Sequence, residues 1–483
     1  MNVLLVVKIL AFLMLLYSLF MLLPTGVAAY YREYAALKTF VGTVLAVVSG
    51  AGLLYVLLRR VKSASLTMRD GFFLVTVTWL LASVVGAVPF VVSGAIPSPA
   101  DAFFETISGL STTGASILTD VEALPKSILF WRSLNHWIGG MGIVVLAVAI
   151  LPLLGIGGMQ LIQAEAPGPT VDKITPRIAE TAKRLWLIYA GFSVVQTALL
   201  MAGGMGWFDS LIHTFGTLAT GGFSSKNLSA GHYNSAYFDG VITLFMVLAG
   251  INFTLHYRLL TGRMGSLWRN TELKAYLAIF AASTLFIAFG LLGNTYATFG
   301  ESFRYASFQA ASILTTTGFA TADYEKWPLA CQVTLFLLMF VGGSFGSTGG
   351  GIKVFRIVAL LKQAINEMRY LLHPRGVFTL RMNGEPVGKA LVFSISGFFF
   401  LYVIMLLITS AVVASSGQDL LTSFTAALAT LGNIGPGFGA VGPADNFASL
   451  PDYVKWFLSF AMLVGRLELY TVLVLFLPAF WRN

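Results

Sequence analysis

Four short stretches of this chain combine the residue types that can replace water around a cation. They read Leu110-Ser111-Thr112-Thr113-Gly114, Leu218-Ala219-Thr220-Gly221-Gly222, Leu314-Thr315-Thr316-Thr317-Gly318 and Leu431-Gly432-Asn433-Ile434-Gly435, each with a leucine four residues before a glycine. The glycines recur at intervals of 108, 96 and 117 residues, which marks an internally repeated chain. A K⁺ ion leaves water only where oxygens take over its hydration shell, and rings of backbone carbonyls do this when four strands converge on one axis. Glycine admits the left-handed dihedrals that let successive carbonyls point the same way, and Thr hydroxyls add further oxygens. A lone Thr-Thr-Gly is an ordinary turn. Four copies in register, each behind a short amphipathic stretch, predict a fourfold pore written into one chain.

Such a ring has to be held inside a bilayer, and the composition supplies one. The chain is 57% hydrophobic and only 11% charged, against about a quarter charged in a soluble domain. Apolar runs long enough to cross as helices, separated by short polar segments, predict an all-α integral membrane bundle. Residues 2–24 and 37–58 form an outgoing and returning hairpin without a filter sequence; Gly26, Ala28 and Ala29 resemble a cleavage site, but the barely charged start and full length of the run favour a retained span. Four units follow, each reading span, short stretch, filter, span: 71–94, 100–110 and 128–156; 185–205, 208–218 and 236–257; 273–293, 299–314 and 329–372; 389–413, 418–431 and 453–480. The short stretches are re-entrant pore helices, whose negative C-terminal ends would face a cation at the filter. This makes about ten spans and four re-entrant helices. The expected units are an N-terminal hairpin at 1–69 and pore repeats at 70–183, 184–270, 271–385 and 386–483.

The net charge of +9 is explained by topology. Lys and Arg gather at Arg59, Arg60, Lys62 and Arg69, at Lys173, Arg177, Lys183 and Arg184, at Arg258, Arg263, Arg269 and Lys274, and from Lys353 to Lys389, all assignable to the cytoplasm and to anionic lipid rather than to nucleic acid. Acidic residues including Asp101, Glu105, Asp120, Asp209, Asp239 and Glu325 fall on the other side, where they would concentrate cations. The polar connection from Gln160 to Lys183 is expected in the cytoplasm. The single Cys331 excludes an intrachain disulfide, the five His have no zinc-ligand spacing, and Gly346 to Lys353 lacks the Ser or Thr of a phosphate loop. No cofactor is expected in the chain, and no nucleophile with its base marks an enzyme.

Two further features bear on gating. In the third unit the returning span starts near Trp327 and Pro328 and meets Gly342-Gly343-Ser344-Phe345-Gly346-Ser347-Thr348-Gly349-Gly350-Gly351. The interruption begins about 20 Å along the helix, and six glycines at about 1 kcal/mol each disfavour a continuous helix; a loop crossing the pore below the filter is expected. Arg466 lies near the middle of the 453–480 run, too deep to snorkel, and should face the interior and the loop carbonyls. Glu468 is the one candidate carboxylate for an alternating-access symporter that couples K⁺ to Na⁺ or H⁺, the competing reading, or else the partner of an interhelical salt bridge.

With these filters, the N-terminal hairpin and the glycine interruption, the chain resembles the Trk/Ktr/HKT superfamily of potassium transporters over essentially its whole length, and most of all the bacterial TrkH/TrkG uptake subunits. The resemblance implies a fourfold pseudosymmetric pore in each protomer, a homodimer in the bacterial inner membrane with both termini cytoplasmic, and a cytosolic nucleotide-binding TrkA-type regulatory subunit as partner. It places the potassium filter on Thr112, Thr113, Gly114, Thr220, Gly221, Gly222, Thr316, Thr317, Gly318, Asn433, Ile434 and Gly435. It places the intramembrane gate on Gly342, Gly343, Ser344, Gly346, Ser347, Thr348, Gly349, Gly350 and Gly351, with Arg466. In this superfamily glycine at all four filter positions goes with K⁺ selectivity, whereas serine in the first repeat of some plant members goes with Na⁺. The fourth copy departs from the pattern with Asn433 and with Pro436 after the glycine, so an asymmetric ring is expected there.

Overall fold

A computed structural model describes residues 2–61, 66–142, 178–262 and 265–482. The N-terminal hairpin consists of α1 (Val3–Phe20), α2 (Leu22–Tyr30) and α3 (Tyr34–Leu57). The first apolar run is thus longer than 2–24 and reaches Tyr30. Glu33, in the turn before α3, accepts hydrogen bonds from the backbone amides of Lys126 (2.7 Å) and Ser127 (3.0 Å), so the hairpin caps the start of α6 (Lys126–Gly140) from outside the pore units. Tyr17 on α1 donates to Asn135 on α6 at 2.7 Å, a second tether between the same two elements.

The remaining helices follow the expected order. The first unit has α4 (Met68–Val92), α5 (Pro99–Leu110) and α6; the second has α7 (Ile178–Ala202), α8 (Trp207–Leu218), α9 (Ala236–Ala249) and α10 (Phe253–Leu260). The third has α11 (Thr271–Leu291), α12 (Phe299–Leu314), α13 (Leu329–Leu338) and α14 (Val354–Leu372); the fourth has α15 (Lys389–Ala414), α16 (Leu420–Leu431), α17 (Asp452–Arg466) and α18 (Tyr470–Leu473). The protein is an all-α multi-pass membrane bundle; the described strands are the two-residue pair Arg381–Met382 and Glu385–Pro386.

Three of the four short helices, α5, α12 and α16, start where the sequence supplies a side-chain cap, and α8 starts after Gly206. Ser98, Thr298 and Asp419 accept from the amides of Asp101, Glu301 and Thr422, which satisfies donors that a helix leaves open. Their packing runs in a circle. Helix α5 lies against α4, α6 and α17; α8 against α7, α9 and α6; α12 against α11, α13 and α9; α16 against α15 and α17. Each of the first three therefore touches the returning helix of the unit before it, and the contact of α5 with α17 joins the first unit to the last.

The returning segments differ from the straight spans expected of them. Six described helical segments, α1 and α2 together counted as one, are long and apolar enough to cross a membrane, and two further candidates are bent pairs. The expected 236–257 span turns by 98° between α9 and α10, where Asn252 leaves the helix and caps α10 by accepting from the Thr254 amide. The expected 453–480 span turns by 113° just after Arg466, because Glu468 and Leu469 both take positive φ. The 329–372 segment is broken between α13 and α14, as its glycines require. The second half of 128–156, most of the connection from Gln160, and Lys62, Lys173, Arg177 and Arg263 lie outside the described residues.

Candidate cation pathway

Each of the short helices α5, α8, α12 and α16 ends in the same four-residue backbone path. A cap residue (Ser111, Ala219, Thr315, Gly432) is followed by a residue in the left-handed region: Thr112 at φ 56°, Thr220 at 55°, Thr316 at 58° and Asn433 at 54°. The next amide, of Thr113, Gly221, Thr317 or Ile434, donates to the carbonyl five residues back at 2.9, 2.8, 2.8 and 2.8 Å. The closing glycines then stand at φ 82°, 79°, 81° and 100°. For β-branched threonine the left-handed region is an outlier that costs about 1–3 kcal/mol and persists where surrounding structure imposes it. Asparagine enters it more readily than other non-glycine residues. Asn433 therefore changes the side chain of the fourth copy while its backbone follows the other three, and the expected asymmetry is one of side chains.

The four copies close on one another. A Cβ on Gly114 would collide with the carbonyl oxygen of Gly221; on Gly222 it would meet the Thr317 carbonyl, on Gly318 the Ile434 carbonyl, and on Gly435 the Thr113 carbonyl. Each closing glycine thus lies against the middle carbonyl of the next copy, in the cyclic order one, two, three, four, one. The positive φ and this contact both require glycine at these positions. Asn433 Nδ2 adds a stitch from the fourth copy to the first by donating to Thr113 Oγ1 at 2.9 Å.

The glycine-rich loop between α13 and α14 is seated directly against this ring. The Gly350 amide donates to Thr316 Oγ1 at 2.7 Å, and Thr348 Oγ1 donates to the Leu218 carbonyl at 2.8 Å, so the loop bonds to two of the four copies. A Cβ on Gly350 would lie 2.6 Å from the Gly432 carbonyl and 2.8 Å from Asn433 Cβ, which brings in the fourth. The neighbouring glycines close the loop on itself: the Gly342 amide donates to Ile352 O at 2.8 Å, and a Cβ on Gly342 would collide with Gly350 O. Gly343 and Gly349 pack against each other, Gly351 takes φ 66°, and Gly346 takes φ 69° beside Asn252. Ser344 N donates to Gly250 O at 2.9 Å, and Ser347 Oγ donates back to Ser344 O at 2.6 Å.

Arg466, the last residue of α17, clamps the loop to the first unit. Its guanidinium donates to Thr348 O at 2.7 Å and to Gly139 O and Gly140 O at 2.7 and 3.0 Å. Lys353 Nζ donates to the carbonyls of Gly349 and, at 3.5 Å, Gly350. Glu468 does not stand free: it forms an ion pair with Arg356 on α14, whose guanidinium stacks 3.8 Å from the Phe398 ring. Glu272 holds the loop's flanks by accepting from the amides of Phe345 (2.7 Å) and Phe355 (3.1 Å).

The comparisons with known proteins agree with this architecture. Residues 37–483 match the family model described as "TrkH: Cation transport protein". The chain belongs to the TrkH family of cation transport proteins. It is 41% identical to the Trk system potassium uptake protein TrkH of Escherichia coli (strain K12) over 99% of both chains, and 38% identical to TrkG of the same strain over 98% of this chain and 97% of that one. The crystal structure of the potassium transporter TrkH from Vibrio parahaemolyticus superposes with a TM-score of 0.89 at 38% identity, with both chains covered completely. The TrkH family is one of transporters, not enzymes.

Within this TrkH-family fold, the expected filter and gate residues are adjacent, and several residues beside them were assigned elsewhere from sequence. Lys353 and Arg356 read as part of a cytoplasmic basic cluster; both are buried, at 7% and 5% exposure. Glu105 read as an outer-mouth acid; it is buried in an ion pair with Arg132 at 2.5 Å. Asp239 is likewise buried and paired with Arg304 at 2.7 Å. Lys353 and Arg356 carried a signal in their spacing, directly after an intramembrane glycine run.

Proposed function

We propose that this chain is the conducting pore of a potassium-uptake system, in which dehydrated K⁺ passes through the ring of Thr112 to Gly114, Thr220 to Gly222, Thr316 to Gly318 and Asn433 to Gly435. The observation that carries this reading is the cyclic contact of each filter glycine with the next copy's carbonyl, which lines four backbone strands around one axis. The full-length similarity to proteins named for potassium uptake supports the choice of ion. The loop 342–351 and Arg466 form the gate: the loop covers the ring, and two cations, the half-buried Arg466 and the buried Lys353, sit on its carbonyls and raise the barrier to a passing cation. The pairing of Glu468 with Arg356 leaves no free coupling carboxylate at that point, so the channel-like reading stands ahead of symport.

The family resemblance supports a reading of the wider assembly. The chain works as a homodimer in the bacterial inner membrane, with four pore units at 70–183, 184–270, 271–385 and 386–483 and both termini in the cytoplasm, and a cytosolic nucleotide-binding subunit of TrkA type controls the gate.

⁸⁶Rb⁺ uptake into proteoliposomes containing only this chain tests the proposal. Uptake suppressed by K⁺ and barely by Na⁺ or Li⁺ supports it; equal suppression by all three sinks it. Gly350→Ala probes the gate in the same assay. The added methyl has no room beside Gly432 O and Asn433 Cβ, so the loop cannot seat and uptake rises about threefold to tenfold, as expected for a barrier lowered by about 1 kcal/mol. Unchanged uptake would show that the loop does not limit flux.

A further inference from the structure

Nine residues before each filter glycine the chain carries Glu105, His213, Gln309 and Ala426, on the pore helices behind the ring. In the first two copies this side chain reaches the residue two beyond the glycine. Glu105 accepts from Ser116 Oγ at 3.0 Å and from the Ile117 amide at 3.0 Å, and His213 Nε2 lies 3.0 Å from Ser224 Oγ. Gln309 makes a long 3.5 Å bond to Ala322 O, and Ala426 has no polar group to offer.

A cation joins the first two copies. Arg132 on α6 pairs with Glu105 through Nε at 2.5 Å, and its other arm donates to Ser224 O at 3.1 Å. The side chains of the pair are 4% and 0% exposed. The guanidinium also lies 3.4 Å from the centre of the Phe223 ring, directly after filter residue Gly222. One helical turn on, His136 Nδ1 stands 2.7 Å from Gly109 O, and its Nε2 accepts from the Phe223 amide at 3.2 Å. A carbonyl only accepts and an amide only donates, so this imidazole is neutral with its hydrogen on Nδ1. The third and fourth copies are held by hydroxyl donors, with the Glu325 carboxylate accepting from the Gly439 amide at 2.6 Å just beyond the fourth. Ser312 Oγ donates to Phe319 O at 2.6 Å, Thr425 Oγ1 donates to Phe438 O at 2.9 Å, and Tyr324 OH donates to Gly437 O at 2.7 Å.

We propose that the buried Glu105–Arg132 pair is a specificity-determining brace: it fixes the spacing between the first and second filter strands and thereby sets how strongly the ring prefers K⁺ to a smaller cation. Neither residue lines the ring; both are positioning residues that act through Ser116, Ile117, Phe223 and Ser224. Carbonyls held at a fixed spacing cannot close around Na⁺, whereas strands released from the brace can. This rests on the assignment of the ring as the filter.

The test is the ratio of ²²Na⁺ to ⁸⁶Rb⁺ uptake in proteoliposomes for Glu105→Gln/Arg132→Met, which removes both charges together and avoids stranding one in the interior. The ratio is expected to rise about tenfold, equivalent to about 1.4 kcal/mol of lost discrimination. Loss of folded protein lowers both fluxes and leaves their ratio fixed, so a structural role alone does not produce this change. Ser116→Ala/Phe223→Leu loosens the same two strands by removing their contacts with the pair while keeping both charges, and is expected to shift the ratio in the same direction if the first variant does not accumulate. Gly114→Ser is measured alongside. A ratio that moves for Gly114→Ser but for neither brace variant overturns the brace and leaves the filter standing, and a ratio unmoved by Gly114→Ser overturns both.

Discussion

Gly114→Ser is expected to admit Na⁺ and to cost the pore about tenfold or more of its preference for K⁺, equivalent to about 1.4 kcal/mol. Two observations require glycine there. Its φ is 82°, a region that side chains rarely enter, and a Cβ would collide with the Gly221 carbonyl. Serine therefore has to push that carbonyl aside, and the carbonyl belongs to the neighbouring copy, so the displacement spreads to two of the four strands. A ring whose oxygens no longer sit at one spacing loses its reason to prefer the larger ion. Relative ²²Na⁺ and ⁸⁶Rb⁺ uptake by the reconstituted variant measures this directly. An unchanged ratio in folded protein would remove Gly114 from the filter.

Arg466→Ala is expected to raise K⁺ flux by about tenfold in the chain reconstituted alone. Two unit charges about 4 Å apart repel by about 4 kcal/mol at an effective dielectric of about 20, and relief of a third of that is worth about tenfold in rate. The substitution also removes the clamp from Thr348 O to Gly139 O and Gly140 O, so the loop loses an anchor as well as the pathway losing a charge. Initial rates of ⁸⁶Rb⁺ uptake at matched protein content decide the matter. Lower flux from well-folded protein would make Arg466 a support of the open pore rather than part of a barrier.

The four short helices were legible almost to the residue because their limits are written in local chemistry. The expected stretches 100–110, 208–218, 299–314 and 418–431 correspond to Pro99–Leu110, Trp207–Leu218, Phe299–Leu314 and Leu420–Leu431, each bounded by a cap, a glycine or the filter itself. The break in the third returning span was legible for the same reason, since its glycines announce it. The break after Arg466 was not. Hydropathy continues across 453–480, and the turn is made by Glu468 and Leu469 at positive φ, residue types that give no local warning. What accompanies the turn is the pairing of Glu468 with Arg356, which no periodicity along the chain reveals.

Buried charge was misread for a related cause. Lys353, Arg356 and Glu105 were assigned by their neighbours in sequence, and charged neighbours usually mean a solvated surface. Lys353 instead turns back onto the loop carbonyls three and four residues before it, whereas Arg356 and Glu105 each meet a partner from another element, Glu468 and Arg132. The order of the four copies around the ring, and the contact of α5 with α17 that joins the first unit to the last, likewise belong to tertiary structure.

The central claim is that the four filter copies surround a cation path, and Rb⁺ located by anomalous scattering in crystals of this protein tests it most directly. The account predicts a peak on the common axis of the Thr113, Gly221, Thr317 and Ile434 carbonyls, weakened when K⁺ replaces Rb⁺ and retained when Na⁺ is added. Rb⁺ bound elsewhere in the protein, with the axis of the ring empty, would contradict it.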